Sequence, residues 1–559
     1  MRCRALLAAL AATTLAACAA PPAAAPAAPA ASAAPGTVAL RLLAINDFHG
    51  YLKPPPGGFR MPDPADPART LTVPAGGAET LASAVRELAA GHPHHVFVAA
   101  GDLVGASPLL SALFHDEPTV ESLSAMGLAF SAVGNHEFDD GADELLRLQR
   151  GGCHPLDGCR GPKPFAGAGF QYLAASTVVR KTGQTLLPPY AVRRFDGVPV
   201  AFVGLTLKAT PQIVMPAGVA GLEFRDEAES VNALVPELQR QGVHAIVVLL
   251  HEGGEAGGGR DGCDDLRGAI TRIVPRLDRA VSVVVSGHTH RAYVCRLDGR
   301  LVTSGDRYGT LVTAIDLELD RASGRVQRAD AHNVVVDPAR FAPDAAQTAL
   351  LAAYERVAAP LAKRIVGTIA GSLTREADSA GESTLGRVVA DAQLEATRAV
   401  GAQAALTNPG GLRSPILKTG DGRVRYEEVF EAQPFGNRLV TLTISGAQLA
   451  ALLEQQFHGQ APRVLQVSRG LRYEWDASRP AGQRLLPGSL TLEGRRIEPA
   501  QRLRITVNSY LADGGDRFSV LRDGEDRVYG LPDADALAQY LAAHPGLQPP
   551  RDTRIQRRD

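Results

Sequence analysis

The 559-residue chain lacks an excess of either charge: 58 Lys and Arg stand against 59 Asp and Glu. No basic stripe breaks that balance, which argues against a nucleic-acid polymer held by its phosphate backbone. Long apolar runs are also missing. After the amino-terminal segment, nothing reaches the roughly eighteen uninterrupted apolar residues that a membrane helix needs. Six cysteines occur without any C-x-x-C pair, so a thiolate metal site has no support. Trp475 is the single tryptophan. At this length one hydrophobic core does not suffice, and two or three domains are expected.

The amino terminus carries an address. Arg2 and Arg4 precede a short apolar stretch, Ala5 to Leu15, and Leu15-Ala16-Ala17-Cys18 sets small residues before a cysteine. This resembles a bacterial lipoprotein signal over residues 1–18, with Cys18 as the lipidated first residue of the mature chain. Ala19, in place of an aspartate, favours the outer membrane by the same resemblance, facing periplasm or cell surface. Residues 19–36 are almost entirely Ala and Pro and read as a tether. An exported, lipid-anchored protein is expected. Four cysteines then remain, Cys153, Cys159, Cys263 and Cys295. Two disulfides are expected in three possible connectivities, of which Cys153–Cys159 and Cys263–Cys295 are favoured as local loops.

What is present in the first half is a repeated pattern. Five apolar, strand-like runs each end in oxygen or imidazole groups. Val38 to Ile45 runs into Asn46-Asp47-Phe48-His49-Gly50, and Val96 to Ala100 into Gly101-Asp102. Ala129 to Val133 runs into Gly134-Asn135-His136-Glu137-Phe138-Asp139. Ala245 to Leu250 ends at His251, and Val281 to Val285 at Gly287-His288-Thr289-His290. Apolar strands alternating with helical segments imply a sheet covered on both faces, with a site beyond the strand ends. Asp47, His49, Asp102, Asn135, His251, His288 and His290 offer oxygen and nitrogen but no sulfur. That mix suits two divalent ions of the Mn, Zn, Co or Fe type. His92, His94, His95 and His115 lie in polar stretches and are expected to be solvated.

In order and type these five blocks resemble the calcineurin-like metallophosphoesterases, and Asn-Asp-Phe-His-Gly with Asn-His-Glu-Phe-Asp resembles their 5'-nucleotidase branch. The resemblance implies one ion on Asp47, His49, Asp102 and His290, and a second on Asp102, Asn135, His251 and His288. Such a pair acidifies a water and clamps a phosphate. His136 would then stabilise phosphoryl charge or protonate the leaving group, oriented by Asp139. Glu137 receives no catalytic part. Leu301 to Gly305 and Leu311 to Asp316 read as a hairpin closing this domain.

A helix follows, with Leu350, Tyr354, Val357, Leu361 and Ile365 on its apolar face and a kink expected at Pro360. The second half carries Gly381-Glu382-Ser383-Thr384, with Ser383 a helix cap. It continues with Asn408-Pro409-Gly410-Gly411-Leu412-Arg413, Gln433-Pro434-Phe435-Gly436-Asn437, and Asn508 to Asp516. In this order they resemble the 5'-nucleotidase C-terminal domain. By that resemblance Phe435 and Tyr510 stack a base, Asp516 binds ribose, and Asn408 and Arg413 hold phosphate or sugar. Arg375 is a further basic candidate.

The expected fold is α/β, α+β overall. A layered α/β/β/α metallophosphoesterase domain (37–337) is joined by a linker helix (338–365) to a smaller α/β nucleotide-binding domain (366–535), and 536–559 reads as a tail. The expected reaction is hydrolysis of nucleoside 5'-monophosphates by metal-activated water, with domain rotation carrying substrate to the ions. Alternatives are a UDP-sugar or dinucleotide pyrophosphatase, a 2',3'-cyclic phosphodiesterase with 3'-nucleotidase activity, a thiosulfohydrolase, and a non-catalytic surface nucleotide-binding protein. The expected partners are a nucleotide and, through Cys18, the membrane. No nucleic-acid polymer and no obligate protein partner are expected.

Overall fold

A computed structural model describes residues 36–63, 66–459 and 462–558. The signal, Cys18 and residues 19–35 of the tether lie outside them. Among the described residues no helix is long and apolar enough to cross a membrane.

The first domain is built from two six-stranded sheets packed face to face. One runs, in spatial order, Val326–Val335, Leu311–Asp320, Thr37–Ile45, His95–Ala99, Leu128–Ala132 and Gln171–Leu173. The other runs Ala292–Leu297, Arg300–Gly305, Val281–Ser286, Ala245–His251, Val198–Thr206 and Tyr190–Phe195. The period of two along each strand sorts its side chains between layers. Leu42, Val98, Val247, Val283 and Leu317 meet between the sheets. Leu43, Phe97 and Ala99 face outward beneath the helices Ala78–Ala89, Glu117–Ala125 and Ala142–Arg150. Ile246, Val248 and Leu250 face the helix Glu227–Arg240 on the opposite side. The result is α/β/β/α. Every residue of Ala245–His251 is buried, as a strand covered on both faces requires.

Thr37–Ile45, His95–Ala99 and Leu128–Ala132 are mutually parallel neighbours, as are Ala245–His251 and Val281–Ser286. Their carboxyl ends therefore share one rim, and the ligand-rich loops converge there. The expected hairpin at 301–316 does not form. Arg300–Gly305 pairs within the second sheet, whereas Leu311–Asp320 pairs with Thr37–Ile45 in the first. The intervening turn crosses between sheets and is pinned where the Tyr308 N–H donates to the Asp47 carbonyl at 2.7 Å.

The helix Ala345–Ala362 begins at Asp344, whose carboxylate accepts from the amides of Ala346 and Gln347. Its buried face is Gln347, Leu351, Tyr354 and Ala358 rather than the expected set. Val357 is exposed, and Ile365 has already entered the strand Ile365–Thr368. Gln347 takes an inner position because Ser122 satisfies both ends of its amide. Tyr354 packs edge-on against Phe114 in the first domain. Pro360 lies in the last turn, two residues before the helix ends.

The second domain holds a five-stranded sheet, ordered Gln466–Val467, Ala404–Thr407, Arg502–Asn508, Arg438–Ser445 and Glu525–Pro532, and a smaller four-stranded one. Ser383 caps the helix Thr384–Thr397, its side chain accepting from the Gly386 amide at 3.0 Å. The expected tail belongs to this domain. Helix Asp533–Ala543 buries Leu537 and Leu541, and Ile555–Arg557 adds a parallel strand to Leu471–Trp475. Arg554, almost fully buried, makes paired 2.8 Å bonds to Asp391. The polar, Pro-rich composition of 544–554 conceals that anchoring.

The cysteines pair as favoured, Cys153 with Cys159 and Cys263 with Cys295.

Candidate metal centre and interdomain cavity

The convergent loops gather all seven proposed ligands. Asp47, His49 and His290 form one group, and Asp102, His251 and His288 another, with the ligand atoms of each group within 4.8 Å of one another. Asp102 stands between them, its Oδ2 2.9 Å from His251 Nε2 and 3.7 Å from His49 Nε2. Asn135 Oδ1 lies 3.2 Å from His251 Nε2. Oxygen and imidazole donors in two groups around a shared carboxylate fit a pair of borderline divalent ions.

The surrounding backbone fixes which nitrogen each ring presents. His49 Nδ1 donates to the Gly105 carbonyl at 2.8 Å, and His251 Nδ1 to the Ala100 carbonyl at 2.7 Å. Each Nε2 is thereby aimed inward, the arrangement expected of oriented metal ligands. Strain concentrates here as well. Asp47, His49, Asp102, His288 and His290 all have φ between 48° and 70°, a left-handed region that costs a non-glycine residue about 1–3 kcal/mol. Gly134 is required by closeness: a Cβ there would sit 2.1 Å from Asp102 Oδ1.

Glu137 holds two of these loops together. One oxygen accepts the amides of Asp102 (3.0 Å) and Gly134 (2.5 Å), the other that of Leu103 (2.7 Å). Burial and then the Asp102 charge raise its pKa to about 8, with His251 and then the amide donors pulling the other way.

Electrostatics separates the imidazoles. Burial pulls His251 down, but Asp102 more than offsets it and lifts the ring to about 10. Burial, followed by Arg413 and Arg307, holds His290 well below its usual value. Burial and the neighbouring His251 take His288 to about 4. For His136, burial is outweighed by Asp139 and Asp102, which keep it above the ordinary imidazole value. Asp139 Oδ2 lies 2.7 Å from His136 Nδ1.

His136 and Asp139 open onto a cavity of about 310 Å³ between the domains. Asn135 and His288 line it from the first domain, and Asn408, Arg413, Phe435, Tyr510 and Asp516 from the second. In this conformation both sets of predicted residues already share one space. Phe435 stacks near His136, centroids 5.9 Å apart, and the Arg413 guanidinium lies 5.8 Å from the Phe435 ring. Asp516 is the hub of the second domain's side. It accepts from Asn408 at 2.8 Å, Arg463 at 2.8 Å and the Tyr510 hydroxyl at 3.1 Å. That same hydroxyl accepts the Asp516 amide at 2.9 Å, holding the left-handed turn at Asp516. Arg375 stands apart from the cavity lining, exposed, and donates to the Arg413 carbonyl at 2.8 Å.

Three contributors escaped the sequence reading. Arg463 is a lone arginine without a motif. Asn437 was visible in its block, and its side chain accepts from Ser509 and the Tyr510 amide. Ile213 to Met215 reach the cavity from a loop of the first domain with no polar signature. His115 departs from expectation in the opposite sense: it is largely buried and lies 2.9 Å from Asp157.

Two paired sheets carrying an oxygen–imidazole cluster on one rim, joined to a second domain that closes a cavity over it, define a two-domain metallophosphoesterase architecture. The calcineurin-like phosphoesterase family matches residues 40–292, and the 5'-nucleotidase C-terminal domain matches residues 365–523. The chain belongs to the 5'-nucleotidase family. It is 31% identical to Endonuclease YhcR of Bacillus subtilis over 90% of its own length, spanning 40% of that protein. It is 30% identical to Cell wall protein Lmo0130 of Listeria monocytogenes over 91% of its length, spanning 67% of that protein. Among solved structures, a 5'-nucleotidase precursor from Thermus thermophilus superposes with a TM-score of 0.75 at 27% identity, covering 93% of this chain and 99% of that one.

Proposed function

We propose that this protein hydrolyses nucleoside 5'-monophosphates to nucleoside and phosphate. The observation that carries the reading is the shared cavity, with His136 and the metal ligands on one wall and Arg413, Phe435, Tyr510 and Asp516 on the other. When bound, two divalent ions supply a water activated at neutral pH and positive charge for the phosphate. Asp47, His49, Asp102 and His290 would hold one ion, and Asp102, Asn135, His251 and His288 the other.

The remaining steps belong to the chain. Arg413 grips phosphate oxygens as a fork. His136, whose protonated form Asp139 favours, stabilises charge on the phosphoryl group or gives its Nε2 proton to the departing ribose oxygen. Phe435 and Tyr510 take the base between their rings, and Asp516, pre-oriented by Asn408, Arg463 and the Tyr510 hydroxyl, accepts from the ribose. Exchange of substrate and product requires the domains to part, which makes rotation between them part of the cycle.

Two disulfides and the amino-terminal signal support an exported protein, with Cys18 as its lipid anchor. The test is phosphate release from AMP, UMP, UDP-glucose, 2',3'-cyclic AMP, diadenosine tetraphosphate and a DNA oligonucleotide, with Mn²⁺ or Zn²⁺, before and after chelation. Monophosphates should lead and chelation should abolish turnover. Preference for the oligonucleotide or a pyrophosphate would replace the substrate assignment, and activity indifferent to chelation would remove the metals.

A further inference from the structure

A second group of metal-binding side chains lies away from the cavity. His115 sits in the turn before helix Glu117–Ala125, at a left-handed φ of 52°. His154 and Asp157 lie in the short loop closed by Cys153 and Cys159, six positions apart in sequence. That loop is braced further by the Gly158 amide, which donates to the His154 carbonyl at 2.9 Å. Ligand atoms of His115, His154 and Asp157 fall within 4.8 Å of one another.

Three details point to an ion rather than to packing alone. His115 Nε2 is buried without a well-formed hydrogen bond, although Asp157 Oδ2 is only 2.9 Å away. His154 Nδ1 is 3.8 Å from the same oxygen and takes only a long 3.2 Å bond from the Asp157 amide. These separations bracket the roughly 3.3–3.6 Å expected between neighbouring ligands on a tetrahedral ion with bonds of about 2.0–2.2 Å. Arg160 holds the other Asp157 oxygen at 3.0 Å, so that Oδ2 is the one that faces the two imidazoles.

We propose that His115, His154 and Asp157 form a third divalent-metal site, for an ion of the Zn²⁺ class, that fastens the disulfide loop to the turn at residue 115. Two imidazoles and a carboxylate without thiolate select Zn²⁺, Cu²⁺ or Ni²⁺ over Ca²⁺ and Mg²⁺. The two rings stack at 3.8 Å with planes 6° apart. His154 turns out of that stack to share the ion, and water completes the coordination. The site has a line to the catalytic centre. Asp116, beside His115, accepts the Gly105 amide at 3.1 Å, and the Gly105 carbonyl accepts a hydrogen bond from His49 Nδ1.

The test uses untagged full-length protein, saturated with Zn²⁺, passed through gel filtration and analysed for metal by mass spectrometry. His154→Ala and Asp157→Asn alter partly exposed loop positions and should leave the fold intact. Each should retain about one Zn²⁺ fewer per chain than wild type, and the Zn²⁺-dependent rise in Tm should shrink. Manganese-supported turnover should persist in both variants. Equal zinc content in wild type and both folded variants would overturn the proposal, as would loss of the ion from all three on the column.

Discussion

Replacing Glu137 by Gln is a sensitive probe of how the metal centre is held. The side chain keeps its length, so the effect is confined to charge and hydrogen bonding. Three amide donors from two loops converge on the carboxylate, two on one oxygen and one on the other. A glutamine has a single acceptor oxygen. Its best orientation keeps the Asp102 and Gly134 amides and turns an NH₂ group toward the Leu103 N–H. One hydrogen bond to a charged group is lost, worth about 1.5–3 kcal/mol, and two others become neutral. That predicts a fall in Tm of roughly 3–10 °C. Because the same amides set the backbone at Asp102 and Gly134, ion affinity should fall about 10–100-fold, as for other groups that orient ligands. Alanine would orphan all three donors at about 1–3 kcal/mol each, comparable with the stability of a whole domain, and is expected not to fold. The assays are thermal unfolding of the chelated protein and Mn²⁺ titration of AMP turnover. If Glu137→Gln is silent in both, Glu137 is a neutral acid, as burial and the Asp102 charge favour, and the carboxylate clamp is wrong.

His136→Ala should keep its metal content and lose turnover by about 10²–10⁴-fold. An unchanged rate at full metal occupancy would remove the ring from the chemistry. Asp139→Asn should lower the His136 pKa and move the alkaline limb of the rate profile to lower pH; an unmoved limb would refute that coupling. Glu431 lies beside the cavity formed by Tyr51, Lys53, Glu355 and Glu427, and burial followed by Glu427 raises its pKa to about 7. Its native proton is held more tightly than in the unfolded chain, so its contribution is intact below about pH 4.5 and is lost as pH rises through 7. Glu431→Gln should therefore match wild type near pH 4 and gain about 1–3 kcal/mol at pH 8 by denaturant unfolding. A constant difference across that range would show that Glu431 does not titrate there.

The metal centre was legible because each ligand type ends an apolar run, and parallel strands with buried faces bring such ends to one rim. The two-domain order followed from the same punctuation. What escaped depends on partners without side-chain signatures. Glu137 has no assigned part in the sequence until its three backbone donors are seen, two of them from the distant loop at Asp102 and Leu103. The pairing of 300–305 and 311–320 in different sheets was hidden because a short polar turn between apolar runs looks the same whether the strands pair or part. On helix 345–362 a buried glutamine shifted the inner face, since hydrogen bonding to Ser122 outweighed the apolar pattern. The tyrosine at 510 offered a ring for stacking. Only the fold gives its hydroxyl a second task, that of setting Asp516.

In the proposed reaction one site is built from both domains, the first supplying the chemistry and the second the nucleotide specificity. Phe435→Ala, assayed with AMP and with β-glycerophosphate, tests this most directly. For AMP, kcat/KM should fall, mainly through KM, by roughly the 5- to 150-fold of a lost base stack worth about 1–3 kcal/mol, while β-glycerophosphate hydrolysis changes less than about twofold. An equal loss on both substrates, or none on AMP, would contradict it.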